Sequence, residues 1–353
     1  MEKLRVAVIG TGSISHWHMG GYLKLSDRVE VVAGCDIDEK KLKAWGEKYG
    51  ITKLYTDYNE MLAEVKPDCV SVTTWNAAHK GATIAALNAG ANVICEKPMA
   101  MNAKEAQEML DASKKNGKLL QVGFVRRFGK DAETFRKLAA DGIVGDVYYA
   151  KATYLRKNGC PGGWFGDKRF SGGGPLIDLG VHVIDLSRYL AGNPKPVSAY
   201  GVTYKNLGCN RASGGGLGWQ IEGKDGYEYS VEDMASAMVR FDNGFTLQVE
   251  ASFNLNIEED TGVVEIYGTK AGARLAGPLK VFTAVSGMFT NMNMVGDTAF
   301  GMEAFDDEIR GFIDAVEGKK ECVATGEDGL ALMKILDAIY ESAETGKSVD
   351  IKW

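Results

Sequence analysis

Short apolar runs alternate with helical patterns across the first 125 residues, and that alternation limits what the chain can fold into more than any other feature. The runs are Leu4–Ile9, Val29–Cys35, Asp68–Thr73, the stretch from Ala91 ending at Glu96, and Leu119–Gly123. Between them lie helical patterns over 13–25, 39–49, 79–89 and 103–116, the last stopped by Asn116-Gly117. Strands that are apolar throughout are buried on both faces, and strand–helix alternation at short intervals predicts a parallel, doubly wound α/β sheet. After about residue 146 the pattern changes. In Thr246–Phe253, Leu247, Val249, Ala251 and Phe253 share one face and polar residues the other, as in a half-solvated antiparallel strand; Val263–Tyr267 and Tyr148–Tyr154 read alike. Two amphipathic helices follow, at about 303–317 and 326–345, the second stopped by Gly346. A length of 353 residues exceeds what one core usually serves. The expectation is an α/β Rossmann-type domain over 1–125 and an α+β domain over 126–353, built on a large, mainly antiparallel open sheet.

The totals narrow the function classes. Hydrophobic residues at 45% and charged residues at 25% are ordinary for a globular protein. A net charge of -6 and a pI near 5.5, with no basic run, argue against a nucleic-acid surface. The opening Met1–Ile9 is too short and too charged for a signal peptide, and no apolar stretch reaches membrane-span length, so a cytoplasmic location is expected. Six cysteines lack CxxC spacing and four histidines lack HxH or HExxH spacing, so no metal is expected. Part of the 44 glycines concentrates in 208–226, which reads as a long loop.

Gly10-Thr-Gly12-Ser13-Ile14-Ser15 lies between the first strand and the first helix. Two glycines permit a tight turn and close backbone approach, so helix N–H groups can face a pyrophosphate; Ser15 replaces the third glycine of the pattern. Asp36 ends the second strand, 24 residues after Gly12, where a carboxylate can accept hydrogen bonds from ribose hydroxyls. It would also repel a 2′-phosphate. Ile37-Asp38-Glu39 adds negative charge and no arginine, so NAD is expected rather than NADP. As an alternative, Asp36 could simply cap the next helix.

Two further segments carry chemistry. Glu96-Lys97-Pro98 ends an apolar run and so places an ammonium group at the carboxyl edge of the sheet. Gly172-Gly-Gly-Pro175 leads to Asp178, His182 and Asp185; Pro175 suits a first helical turn, and Asp178 and His182 are four residues apart on one face. A lysine, a carboxylate and an imidazole in one cleft can take a proton from an alcohol while a hydride leaves the same carbon. Structural readings stand beside these: a strand-end Lys97, a dipole-stabilised Asp178, a core His182, and Asp185 as structure rather than chemistry.

Together the segments resemble the glucose–fructose oxidoreductase / inositol dehydrogenase (Gfo/Idh/MocA) family of sugar and cyclitol dehydrogenases, over essentially the whole chain. The resemblance rests on Gly10-Thr-Gly12, Thr74-Trp-Asn76 with His79, Glu96-Lys97-Pro98, Arg126-Arg127-Phe128, Gly172–Asp185, Gly326-Glu-Asp-Gly-Leu-Ala and Ala343-Glu-Thr-Gly346. Trp75 stands where the family usually has proline, and the 208–226 stretch looks particular to this chain. The resemblance implies a catalytic set of Lys97, Asp178 and His182. It puts Thr74, Asn76, His79 and Glu96 near the cofactor, with Gly10, Gly12, Ser13, Ile14 and Asp36, and makes Arg127, Tyr154, Trp164 and Arg169 substrate-pocket residues; for Trp164, core packing stands as the alternative. It also implies that Pro98 follows a cis bond and that the protein is a homodimer or homotetramer. The activity implied is oxidation of a secondary hydroxyl of a sugar, cyclitol or glycoside. Two rivals remain: a glycosidase or 3-keto-glycoside-forming enzyme working by transient oxidation, and a non-catalytic NAD-binding regulator.

Overall fold

The computed structural model describes residues 2–208 and 226–353. The expected 208–226 loop therefore falls, but for its two end residues, outside the described residues. Contacts group the chain into two units: Met1–Val125 with Met302–Leu330, and Arg126–Gly301 with Ala331–Trp353. The expectation of a second domain running unbroken over 126–353 is corrected here, because residues 302–330 pack on the first unit.

In the first unit the elements run β1 (Leu4–Ile9), α1 (Ser15–Lys24), β2 (Val29–Cys35), α2 (Glu39–Tyr49), β3 (Leu54–Tyr55), α3 (Tyr58–Val65), β4 (Cys69–Val72), α4 (Asn76–Asn88), β5 (Asn92–Glu96), α5 (Ala103–Asn116) and β6 (Leu120–Gly123). The described strands form one parallel sheet in the order β3-β2-β1-β4-β5-β6. That reversal between β1 and β4 is the doubly wound topology, whose ligands bind outside the strands' carboxyl ends. The pair β3 and α3 was not expected from the sequence. Val6, Val8, Val70, Val93 and Ile94 have no exposed surface, as strands covered on both faces require.

One helix of this unit comes from far along the chain. It lies at Glu303–Val316 (numbered α9 in chain order) and packs against α1, where Ile309, Phe312 and Ile313 join Val6, Tyr22, Leu25, Cys69 and Ile94 in one core cluster. Gly21 makes this possible: a Cβ there would sit 2.6 Å from the Ile309 Cβ.

In the second unit, after a 3₁₀ turn at Val125–Phe128, come α6 (Lys130–Ala140), β7 (Val147–Leu155), α7 (Lys168–Ser171), α8 (Val181–Leu190), β8 (Pro196–Tyr204), β9 (Met234–Phe241), β10 (Thr246–Ser252), β11 (Thr261–Gly268), β12 (Ala271–Leu275), β13 (Lys280–Val285) and β14 (Met288–Asn293). The chain ends with α10 (Gly326–Thr345) and β15 (Val349–Asp350). The described strands make one sheet, β14-β13-β12-β11-β7-β10-β9-β8-β15. All its pairings are antiparallel except β7 with β10. The residue alternation of Thr246–Phe253 is as expected, with Leu247, Val249 and Ala251 buried, but one of its two neighbours runs parallel. α8 covers the apolar side across β7, β10 and β11.

Candidate functional site

The first unit gathers one set of candidate residues at the carboxyl ends of β1, β2, β4 and β5. Gly10 has φ +94°, and a Cβ there would lie 2.6 Å from the Thr73 carbonyl oxygen, so only glycine lets the ends of β1 and β4 approach this closely. The hydroxyl of Thr73 donates to Gly10 O at 2.6 Å. Ser15, in the third-glycine position, is fully buried with its hydroxyl donating to Gly12 O at 2.6 Å. A serine thus fits without opening the turn. Asp36 accepts from the Thr11 amide at 2.7 Å and the Asp38 amide at 2.9 Å. The cap of α2 is Asp38, whose side chain accepts from the Lys40 and Lys41 amides, so Asp36 does not cap that helix.

These residues fit an NAD molecule. The amides of Gly12, Ser13 and Ile14 donate to no acceptor among the described residues, and a Cβ at Gly12 would meet nothing within 4 Å. Free N–H groups in open space at a helix N-terminus match a pyrophosphate. The half-buried Asp36 stands at the neighbouring strand end, beside the same turn.

At the end of β4, Thr74 is half-buried and Asn76, the first residue of α4, is 5% exposed. His79 differs from a free cofactor contact. Its Nδ1 lies 2.7 Å from Pro98 O and its Nε2 3.1 Å from Thr74 O, so the ring ties the β4 turn to the β5 turn. A neutral imidazole donates to one of these carbonyls only; burial lowers the ring's proton affinity, against the pull of both carbonyls.

Glu96 is turned inward, onto His18. Its Oε1 lies 3.0 Å from His18 Nε2, and its Oε2 accepts from the Lys97 amide at 3.1 Å. Burial pushes its carboxyl up, but the His18 hydrogen bond, the His18 charge and Lys97 together hold it below the usual range. His18 Nδ1 is 3.0 Å from Ser71 Oγ, which is 2.7 Å from the Tyr22 hydroxyl. Lys97 follows at the strand end, half-buried, and the Lys97–Pro98 peptide is cis.

The second unit holds Asp178 and His182. The helical segment does not start as an α-helix: Leu176–Gly180 is a π turn that runs into α8. Such turns carry one extra residue in a helix and are frequent at functional sites. Asp178 is 8% exposed and His182 half-buried. Glu232 clamps the start of the turn, accepting from the Gly174 amide at 2.9 Å, the Leu176 amide at 3.3 Å and the Tyr340 hydroxyl at 2.9 Å. Burial pushes both Glu232 and Tyr340 up. Neither residue belongs to a motif, and they lie 58 and 166 positions after Gly174, so no sequence spacing pointed to them.

Arg127, expected in the pocket wall, is held by an ion pair within the second unit. It is 3% exposed and forks onto Asp185, Nε to Oδ2 at 2.9 Å and Nη2 to Oδ1 at 2.6 Å, with its guanidinium over the Tyr189 ring. Asp185 is thus structural. Arg169 is likewise engaged by Asp167, with Nε 2.9 Å from Oδ1 and Nη2 2.5 Å from Oδ2, but its own side chain is exposed. That hydrogen bond, with the Glu228 amide, holds the Asp167 carboxyl down at about 2. Trp164 stacks on Phe165, ring centroids 3.8 Å apart, and Tyr154 packs beside Cys160, Leu179 and Phe253.

Comparison with known proteins agrees with this picture. Residues 4–124 match the GFO_IDH_MocA family, described as an oxidoreductase family with an NAD-binding Rossmann fold, and residues 132–274 match the GFO/IDH/MocA C-terminal domain. D-glucoside 3-dehydrogenase of Escherichia coli K12 is 37% identical over 99% of this chain and 98% of its own. 1,5-Anhydro-D-fructose reductase of Ensifer adhaerens is 28% identical over 99% and 98%. Among solved structures, levoglucosan dehydrogenase in complex with NADH and levoglucosan superposes with a TM-score of 0.86 at 23% identity over all of both chains, a likeness of fold.

Proposed function

The chain belongs to the Gfo/Idh/MocA family of NAD-binding oxidoreductases, and from that premise we propose that it oxidises one secondary ring hydroxyl of a D-glucoside, at C3. The observation that carries the choice of substrate is the 37% identity to D-glucoside 3-dehydrogenase over nearly the full length of both proteins.

When bound, NAD supplies the hydride acceptor. The rest falls to side chains of this chain. His182 accepts the hydroxyl proton; an ordinary imidazole does this near neutral pH without a large shift. Lys97 hydrogen-bonds the same oxygen and stabilises the negative charge that develops there. Asp178 orients the sugar or holds His182 in its working tautomer. Asn76 and Thr74 line the cofactor side, and Trp164, Tyr154 and the exposed Arg169 line the sugar side, where an aromatic face and a cation suit a polyol. Gly10, Gly12, Ser13, Ile14 and Asp36 hold the dinucleotide. Glu96 and His79 act behind them, by fixing the turns that carry Lys97 and Thr74.

The test is NAD reduction followed at the nicotinamide absorbance against methyl glucosides, inositols, 1,5-anhydro sugars and free hexoses. Glucosides should lead by at least tenfold in kcat/KM, and the product should be a 3-keto glucoside. Preference for an inositol would move the substrate assignment elsewhere in the family. Turnover in Lys97→Met would sink the roles given to the side chains, whichever substrate wins.

A further inference from the structure

Beneath the end of β5, α9 supplies a second carboxylate. Glu308 has no exposed surface, and neither of its carboxylate oxygens has a hydrogen-bond partner among the described residues. An oxygen of Glu308, an oxygen of Glu96 and a ring nitrogen of His18 all lie within 4.8 Å of one another. Two carboxylates and one imidazolium would leave a negative charge uncompensated in a site closed to water, which is among the costliest arrangements a protein can hold. Glu96 has the donors, namely His18 Nε2 and the Lys97 amide. Glu308 has none. Among the described residues, no positive charge acts on its carboxyl. Tyr22 on α1, which interacts with it, is kept neutral by burial, and Gln121 on β6 reaches the main-chain oxygen of Glu308, at 3.4 Å.

We propose that Glu308 is carried as the neutral acid and is a positioning residue for the Glu96–Lys97 turn. Because it stays uncharged, Glu96 is the one anion beside His18, remains drawn to the imidazole, and goes on accepting from the Lys97 amide. The role rests on the reading of Lys97 given above; the protonation state does not. Burial, and then the charge of Glu96, push the Glu308 carboxyl well above its ordinary range. Ionising it at alkaline pH sets a second negative charge against Glu96 and loosens the turn that carries Lys97.

The experiment compares the full-length NAD-bound wild type with Glu308→Gln. A folded-state value above the unfolded one means that the group's contribution is complete at acid pH and is lost as pH rises. The melting temperature of the wild type relative to the variant should therefore fall as pH rises above about 4. At neutral pH the infrared difference spectrum should contain the carbonyl band of a neutral buried acid, present only in the wild type. The alkaline limb of kcat/KM should move to higher pH in the variant, which a merely structural group would leave in place. The melting and infrared arms need no substrate, so they decide the protonation claim even if the glucoside reading fails. Absence of the band, a variant that loses stability against the wild type as pH rises, or a stoichiometric divalent metal lost on substitution overturns the neutral acid. A band with an unmoved limb overturns the positioning role. If Glu308→Gln does not fold, Glu308→Met serves in all three measurements.

Discussion

The guanidinium of Arg127 grips both carboxylate oxygens of Asp185, at 2.9 and 2.6 Å, and both side chains are almost wholly buried. Asp185 lies three residues beyond His182 on α8, so this ion pair fixes the helix that carries the imidazole. Removing one partner of a buried pair strands the other: Arg127→Met should cost about 3–5 kcal/mol, read by denaturant unfolding. The double variant Arg127→Met/Asp185→Leu should recover much of that. If Arg127→Met unfolds with unchanged midpoint and only KM rises, Arg127 belongs to the pocket after all.

Gly20 and Gly21 give a controlled pair. A Cβ on Gly21 overlaps Ile309, whereas one on Gly20 comes no nearer than 3.8 Å to Asp306. Gly21→Ala should destabilise by about 1–3 kcal/mol through overpacking of α1 on α9. Gly20→Ala should be neutral or stabilise by up to about 1 kcal/mol. Equal melting temperatures for the two would contradict the packing described.

Asp36 offers the sharpest cofactor test. Its loss removes the acceptor of the Thr11 amide and, on the proposed reading, a charged acceptor for the ribose hydroxyls. Hydrogen bonds to charged groups contribute about 1.5–3 kcal/mol, so Asp36→Ala should weaken NADH binding roughly 10- to 100-fold in a fluorescence titration. NADPH binding should weaken less or improve.

Asp167 predicts an acid-side effect. Its carboxyl is held at about 2, below its unfolded value, by the Arg169 hydrogen bond first and the Glu228 amide next. A depressed carboxyl contributes stability above its unfolded value and loses it as pH falls through the folded one. The melting-temperature advantage of wild type over Asp167→Asn should therefore be full above about pH 4 and shrink towards about pH 2. A gap that does not vary with pH would assign Asp167 a purely steric part.

The outer face of the second sheet carries Tyr200 directly across from Met238, both about half exposed, on strands whose other face is buried. We expect this face to bury itself in a homodimer or homotetramer. Tyr200→Glu combined with Met238→Glu should shift the mass measured by light scattering towards the monomer.

How much of this was legible depends on where the physics sits along the chain. The bounds 29–35, 39–49, 103–116 and 326–345 read from the sequence match the structure, because local signals set them: apolar runs, and glycines such as Gly50 and Gly117 in the left-handed region just past a helix. β3 and α3 were missed because Leu54–Tyr55 is too short to show a period. α9 was recognised as amphipathic, but amphipathicity does not name the surface that will cover it. Gly21 held that information, which could be read only once Ile309 was seen beside it. The site divides the same way. The glycine turn, Asp36 and the Lys97 strand end are local and were found. The inward turn of Glu96, the Asp185 fork and the Glu232 clamp join residues many tens of positions apart, and spacing says nothing about them.

The π turn at Leu176–Gly180 is a place where this helix can change length by one residue without turning its ends. The Glu232 clamp holds its front end and the Arg127 fork holds the helix behind it. Loss of a single residue between these two anchors would close the wide turn into ordinary winding, since such a turn holds one residue more than an α-helical one, and leave both anchors in phase. A one-codon deletion there should spare the fold and the aim of His182, and act on the backbone around Asp178 instead.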